Sequence, residues 1–188
     1  FALVAHQAPG LLVLPTHRMV SGLAGGFDLR EMMDRAKAFE FRKIDAGGDE
    51  LADADALLAP YGPGAMAVVG PAAGEVYVAR LRDPAAMDEA CPDKPAPWRR
   101  LDVAVLHELL IDRALADWCR DGWDVSYTPD GTRAWAACRD RRADVAFCLQ
   151  GTPLSAIQAV ADAGASMPHK STYFYPKLAT GMVLKPLA

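Results

Sequence analysis

Apolar and polar residues alternate, recur at helical spacing and alternate again along this chain, and that rhythm is the first guide to its elements. Residues 1–6 and 11–14 are short apolar, partly β-branched runs joined by Gln7-Ala8-Pro9-Gly10; Pro-Gly is turn chemistry, so they predict a hairpin. Asp28-Leu29-Arg30-Glu31 is a capping-box pattern, and Met32, Met33, Ala36 and Phe39 follow at helical spacing, which predicts a helix over 29–38. Residues 39–44 alternate as a half-buried strand. Residues 49–59 return to helical spacing with Leu51, Leu57 and Leu58, until Pro60-Tyr61-Gly62-Pro63-Gly64 ends them. Residues 65–69 and 75–81, separated by Gly70-Pro71-Ala72-Ala73-Gly74, predict a second hairpin.

Asp83-Pro84 starts a helix, with Asp at the N-cap and Pro at the first helical position. The Pro-rich stretch 91–97 stops it and marks the best internal boundary. The strongest helical pattern covers 102–118, with Val103, Leu106, Leu109, Leu110, Leu115 and Trp118 along one broad face, and Asp121-Gly122 closes it. A strand at 123–127, a short helix at 132–138 and an apolar strand at 144–149 suited to a sheet centre come next. Thr152-Pro153 begins an Ala-rich helix that Gly164 ends, and 170–176 and 182–184 read as extended. The pattern contains no internal repeat and predicts an α+β fold. Its sheet is mixed and largely antiparallel, with hairpins packed against several helices, in a single domain over 1–188.

Composition narrows the class. The 188 residues carry 20 Lys plus Arg against 24 Asp plus Glu, a net charge of −4, with 52% hydrophobic and 23% charged positions, the balance of a chain with a core to bury. That acidity argues against a dedicated nucleic-acid binder, which needs clustered Lys and Arg for phosphate. Cys91, Cys119, Cys138 and Cys148 form no Cys-x-x-Cys pair and are too sparse for a disulfide scaffold, so a cytoplasmic home is expected, with Cys138 and Cys148 as core residues. No run approaches the roughly 18 apolar residues of a membrane helix, and no secretory leader is visible. Phe1 opens directly on an apolar strand, and the chain is accordingly read as the C-terminal part of something longer.

Two short segments hold candidate chemistry. Lys170-Ser171-Thr172 follows Gly164 at the distance a phosphate-binding P-loop requires, but His169 stands where the second glycine must, and the context is helix then extended segment, so a Walker A loop is rejected. What remains, Lys170 to Lys177, packs two lysines, two hydroxyls and three aromatics into eight residues. In an extended segment, positions seven apart lie roughly 23 Å from one another. An anion site would therefore centre on Lys170 with the Ser171 and Thr172 hydroxyls unless the chain turns. The plainer alternative makes Phe174 and one tyrosine core and leaves the lysines in solvent. Pro15-Thr16-His17-Arg18 follows the strand at 11–14 as a loop and offers a hydroxyl, a proton carrier and a forked anion clamp; the plainer alternative is a polar turn with an exposed Arg18. His107-Glu108 opens like a zinc-protease motif but has Ile111 at the second histidine position, so His107 is read as packed or pocket-lining. The four histidines share no metal-ligand spacing. Gly151-Thr152-Pro153 places a helix start after an apolar strand, an anion seat or an ordinary cap.

Leu14-Pro15-Thr16-His17-Arg18, Leu101-Asp102-Val103 with His107, Asp144-Val145-Ala146-Phe147, and above all Met167-Pro168-His169-Lys170-Ser171-Thr172-Tyr173-Phe174-Tyr175-Pro176-Lys177 resemble the bacterial and archaeal domain-of-unknown-function family DUF ten-fifteen. Fuller members of that family carry an upstream Asp-Gly-His-His-Arg segment similar to the ParB and sulfiredoxin superfamily, whose members bind nucleotides and include free-serine kinases; the segment is absent here. The resemblance implies a C-terminal portion completing a site with a missing N-terminal half. Its function would be phosphate or nucleotide binding, as in a small-molecule phosphotransferase using ATP or another nucleotide with magnesium, and no metal motif lies in this chain. Within it, His17 is the expected catalytic residue, and Arg18, Lys170, Ser171, Thr172 and Lys177 are the expected ligand-binding residues. His107, Tyr173 and Tyr175 are expected to line the pocket. No established activity comes with the family. The competing expectation is a non-catalytic module whose aromatics dock on the missing half or on a second copy in a homo-oligomer. A chromosome-partition-type DNA binder is a third reading, opposed by the acidity and by the lack of a helix-turn-helix.

Overall fold

In the computed structural model, which describes residues 11–72 and 74–177, the sheet has six strands, of which the four inner ones are largely buried on both faces. The six are β2 (His17–Ser21), β3 (Phe39–Ile44), β4 (Met66–Val69), β5 (Val76–Leu81), β6 (Asp124–Thr128) and β7 (Val145–Cys148). Their order is β3-β5-β4-β7-β2-β6, and every pairing is antiparallel. β1 (Leu12–Leu14) pairs antiparallel with β8 (Tyr173–Tyr175) as a separate two-stranded ribbon. The helices are α1 (Leu29–Arg35), α2 (Gly48–Leu51), α3 (Ala54–Leu58), α4 (Ala85–Ala90), α5 (Ala96–Arg99), α6 (Asp102–Val105), α7 (Gly131–Arg139) and α8 (Leu154–Asp162). The fold is α+β, with an antiparallel sheet between two helical layers.

Strand alternation explains the layers. Val68, Phe147, Val145 and Val20 point to one face, where they meet Leu29 and Met32 of α1, Met87 of α4, Trp98 of α5 and Val160 of α8. Ala67, Val69, Ala146 and Cys148, their strand neighbours, point to the other, against Leu51 of α2, Leu58 of α3 and Ala134 and Cys138 of α7. The second layer is made mostly of small residues, so its helices lie close to the sheet. β7, fully buried and fourth in the order, stands near the sheet centre as its apolar run predicts.

The second hairpin forms as expected, β4 and β5 pairing Val69 with Val76. The α1 N-cap forms too, with the Asp28 carboxylate accepting from the N–H groups of Arg30 and Glu31 at 2.7 and 3.0 Å. Residues 1–6 of the first expected hairpin and the extended piece at 182–184 lie outside the described residues.

Three expectations need correction. Residues 49–59 are two short helices and a 3₁₀ turn (Ala59–Tyr61), because the Asp53 carboxylate caps a new helix by accepting from Ala56 N–H at 2.9 Å. The long helix after Asp102 changes character: α6 runs directly into a π-helical stretch, Leu106–Ala114, where Leu115 N–H reaches back to Leu110 at 3.0 Å. That wider winding lets the consecutive Leu109, Leu110 and Ile111 all be buried. Finally, His17 and Arg18 do not lie in a loop. They open β2, a strand interior to the sheet, and their polarity hid that from the pattern.

Candidate functional site

A strand interior to a sheet that begins with histidine and arginine must satisfy both side chains without bulk water. Arg18 is 0% exposed and His17 is 1% exposed. Being consecutive in a strand, they face opposite helical layers, and their surroundings differ accordingly.

Arg18 lies on the side of Val20 and Phe147. Its Nε donates to His107 Nε2 at 3.3 Å, Nη1 donates to the Thr16 carbonyl, and Nη2 donates to the Lys170 carbonyl at 3.0 Å. Its guanidinium also stands 5.6 Å from the ring centre of Tyr127, its cross-strand partner in β6. Burial lowers the Arg18 pKa to about 10, against the opposing pull of Tyr127 and Asp102. His107 sits in the π-helical stretch and accepts through Nε2, so its proton rests on Nδ1. Burial first, then the charges of Arg18 and His169, lower its pKa to about 4, so His107 is neutral at pH 7. The His169 ring meets Tyr127 edge-on with centroids 6.2 Å apart. Asp102, at the start of α6, adds a carboxylate whose pKa burial raises, and Arg18 works against that shift.

Two strongly separated segments therefore meet. Lys170 adopts a left-handed backbone, φ 54°, so the segment turns at this residue. Its carbonyl points inward to Arg18 while the residue itself is exposed. Ser171 is buried, and its carbonyl accepts from the Thr152 hydroxyl at 3.4 Å. Thr172 is half-buried. The Gly151 N–H, part of the helix start that follows β7, is taken by the Asp55 carboxylate at 2.7 Å.

His17 lies on the other side. Its Nδ1 accepts from the Leu149 N–H at 3.2 Å, which leaves the proton on Nε2 beside Gly131 at the start of α7. Burial, then the charge of Arg18, lowers its pKa to about 4. The expected grouping of His17 with Arg18 in one pocket is thus corrected by the pleat: the sheet itself stands between the two side chains. Lys177 places its Nζ 4.3 Å from the Tyr173 ring on the ribbon. Tyr173 is half-buried, Tyr175 is 51% exposed, and among the described residues no hydrogen bond ties Tyr173, Tyr175 or Lys177 to Arg18. Tyr127 went unnoticed in the sequence, since only its pairing with Arg18 across two strands reveals it.

Among the described residues no group of three His, Cys, Asp or Glu stands close enough to hold a metal ion, and no helix is long and apolar enough to cross a membrane. Cys91, Cys138 and Cys148 are buried free thiols, and burial pushes the Cys138 pKa up to about 12, as expected of core residues.

No protein family and no curated protein matches the chain. Solved structures do. A free serine kinase variant in complex with AMP superposes with a TM-score of 0.52 at 12% identity, over 92% of this chain and 57% of that one. The same kinase in complex with ADP gives a TM-score of 0.50 at 12% identity, with the same coverage. A conserved hypothetical protein from Pyrococcus furiosus gives 0.48 at 12% identity, covering 92% of this chain and 60% of that one. The chain spans a little over half the length of these structures, and it shares the fold of the nucleotide-bound kinase.

Proposed function

We propose that this chain is part of a phosphate- or nucleotide-handling protein, and that its anion site is the Lys170 turn seated on Arg18. The observation that carries the reading is the hydrogen bond from Arg18 Nη2 to the Lys170 carbonyl at 3.0 Å, which joins residues 152 positions apart and seats the exposed Lys170 on a buried guanidinium. Arg18 acts here as a positioning residue with three of its donors already engaged. Lys170 supplies the charge an incoming phosphate meets, and the Ser171 and Thr172 segment supplies the neighbouring donors. Neutral His107 is the group beside Arg18 able to accept or hold a proton, a role that His17 would have to perform from the opposite face.

Likeness of fold to nucleotide-bound kinases supports the reading by analogy. By that analogy and by the resemblance to DUF ten-fifteen, the activity is small-molecule phosphotransfer in the cytoplasm, completed by an N-terminal half bearing the Asp-Gly-His-His-Arg-type segment.

Calorimetric titration with ATP, ADP and CTP, with and without magnesium, tests the proposal on this chain and on a longer form carrying the upstream segment. Binding that Lys170→Ala removes is the expected result. Equal binding by parent and variant would overturn the assignment of Lys170.

A second reading rests on a different observation. Leu12, Phe174 and Tyr175 are 50%, 42% and 51% exposed on the β1–β8 ribbon, an apolar surface suited to docking the N-terminal half or a second copy. In that case Phe174→Ser with Tyr175→Ser weakens association in sedimentation while nucleotide titration is unchanged. No change in association would remove the reading.

A further inference from the structure

A cavity of about 350 Å³ opens between the turn at Pro63-Gly64, the end of β5 and helices α4, α5 and α6. No expectation drawn from the sequence used any of its arginines. Arg80 reaches it from β5, and Arg99 and Arg100 from the end of α5. Its floor is apolar, made by Leu81, Met87 and Val105.

The charges around this cavity do not cancel. Arg99 Nε lies 2.7 Å from Asp88 Oδ1, so this pair is internally neutral. Asp102, the other acid in the wall, accepts through Oδ1 from the Val103 N–H at 2.7 Å and lies in the field of Arg18. Arg80 and Arg100 are exposed, and among the described residues neither enters an ion pair. The Arg80 side chain instead extends towards the neighbouring turn, where a Cβ built on Gly62 would lie 3.8 Å from Arg80 Nη2. Arg80, whose cross-strand partner Glu40 forms no ion pair with it, and Arg100 thus both line one concavity beside Leu81, Met87 and Val105, and a wall with this excess of positive charge favours an anion. A volume of about 350 Å³ lies at the lower end of the range for small-molecule clefts.

We propose that this cavity is a second, separate anion site, for a small organic phosphate or carboxylate with an apolar body. Arg80 and Arg100 grip the anionic head in the forked geometry guanidinium groups favour. Arg99, held by Asp88, closes one side, and the body lies on Leu81, Met87 and Val105. The proposal is independent of the Lys170 site, since none of the cavity arginines contacts the Lys170 turn among the described hydrogen bonds.

The test uses phenyl phosphate as probe, titrated calorimetrically into the whole chain in a Lys170→Gly background so that the other anion site is disabled. Saturable binding is expected, at least tenfold tighter than that of inorganic phosphate and weakened at least tenfold by Arg80→Gln with Arg100→Gln. Both side chains are exposed, so thermal melting should be unchanged by the pair of substitutions. The ratio of phenyl phosphate to benzoate affinity then names the headgroup. No binding in the Lys170→Gly background, or binding indifferent to Arg80 and Arg100, overturns the proposal. Inorganic phosphate binding as tightly as phenyl phosphate would remove the apolar body from it.

Discussion

His17 and Arg18 are neighbours in one strand, equally buried, and yet occupy two different kinds of environment. Around His17 the layer is closed: Gly131 packs so tightly that a Cβ there would stand 1.9 Å from the Leu51 carbonyl oxygen, and the ring's Nδ1 is used by a backbone N–H. Around Arg18, at the margin of the apolar layer, stand the polar groups of Tyr127 and His107, with His169 against Tyr127 and the exposed Lys170 beyond. Burial of a polar side chain therefore has two meanings in this molecule. On the small-residue face it serves packing, and on the face of the π-helical stretch it underpins a charged surface.

The comparison can be broken most severely at Gly131. Gly131→Ala forces a methyl into backbone, not into a flexible side chain, and a loss of about 3 kcal/mol or more is expected in urea denaturation. Arg18→Met comes next: it leaves the Thr16 and Lys170 carbonyls without their donor, for an expected loss of about 2 kcal/mol, and it lets the Lys170 turn move, which abolishes nucleotide binding.

A smaller effect distinguishes the two histidines. Both have folded-state pKa values of about 4 against 6.5 when unfolded, so between these values the unfolded chain binds more protons. Stability present above pH 6.5 is lost progressively as pH falls towards 4, with a slope of at most about 1.4 kcal/mol per pH unit for each ring. His17→Gln and His107→Gln should each remove part of that slope in denaturation midpoints compared at pH 7 and pH 5. Only His107→Gln should also alter the pH dependence of nucleotide binding, because of these two rings it is the His107 ring that accepts a hydrogen bond from Arg18.

How much of this was legible in the sequence follows from what each residue contributes to pattern. Val145–Cys148 and the Val69–Val76 hairpin are apolar where they are buried, so their strands could be read directly. β2 defeats that logic, since its first two residues are the buried Thr128 and Tyr127 partners His17 and Arg18, and a polar pair reads as a loop when its hydrogen bonds are invisible. The π-helical stretch is hidden likewise, because its residues have good helical spacing and only the backbone reveals the wider turn. At the site, the density of lysines, hydroxyls and aromatics at 170–177 marks the segment whose Lys170 carbonyl meets Arg18. What it did not contain is the partition of that segment into an inward carbonyl at Lys170, a buried Ser171 and an outward aromatic ribbon.

The smallest structural perturbation makes the most direct test. Lys170 holds φ 54°, a conformation glycine adopts at no cost, so Lys170→Gly keeps the carbonyl bonded to Arg18 and gains up to about 1 kcal/mol of stability while deleting the ammonium. Titration of ADP into parent and Lys170→Gly protein, beside His17→Gln as the closed-face control, isolates the charge from the fold. The account predicts at least a tenfold loss of affinity in Lys170→Gly and less than a twofold change in His17→Gln. Undiminished binding by Lys170→Gly, together with loss in His17→Gln, would contradict it and move the site to the other face of the sheet.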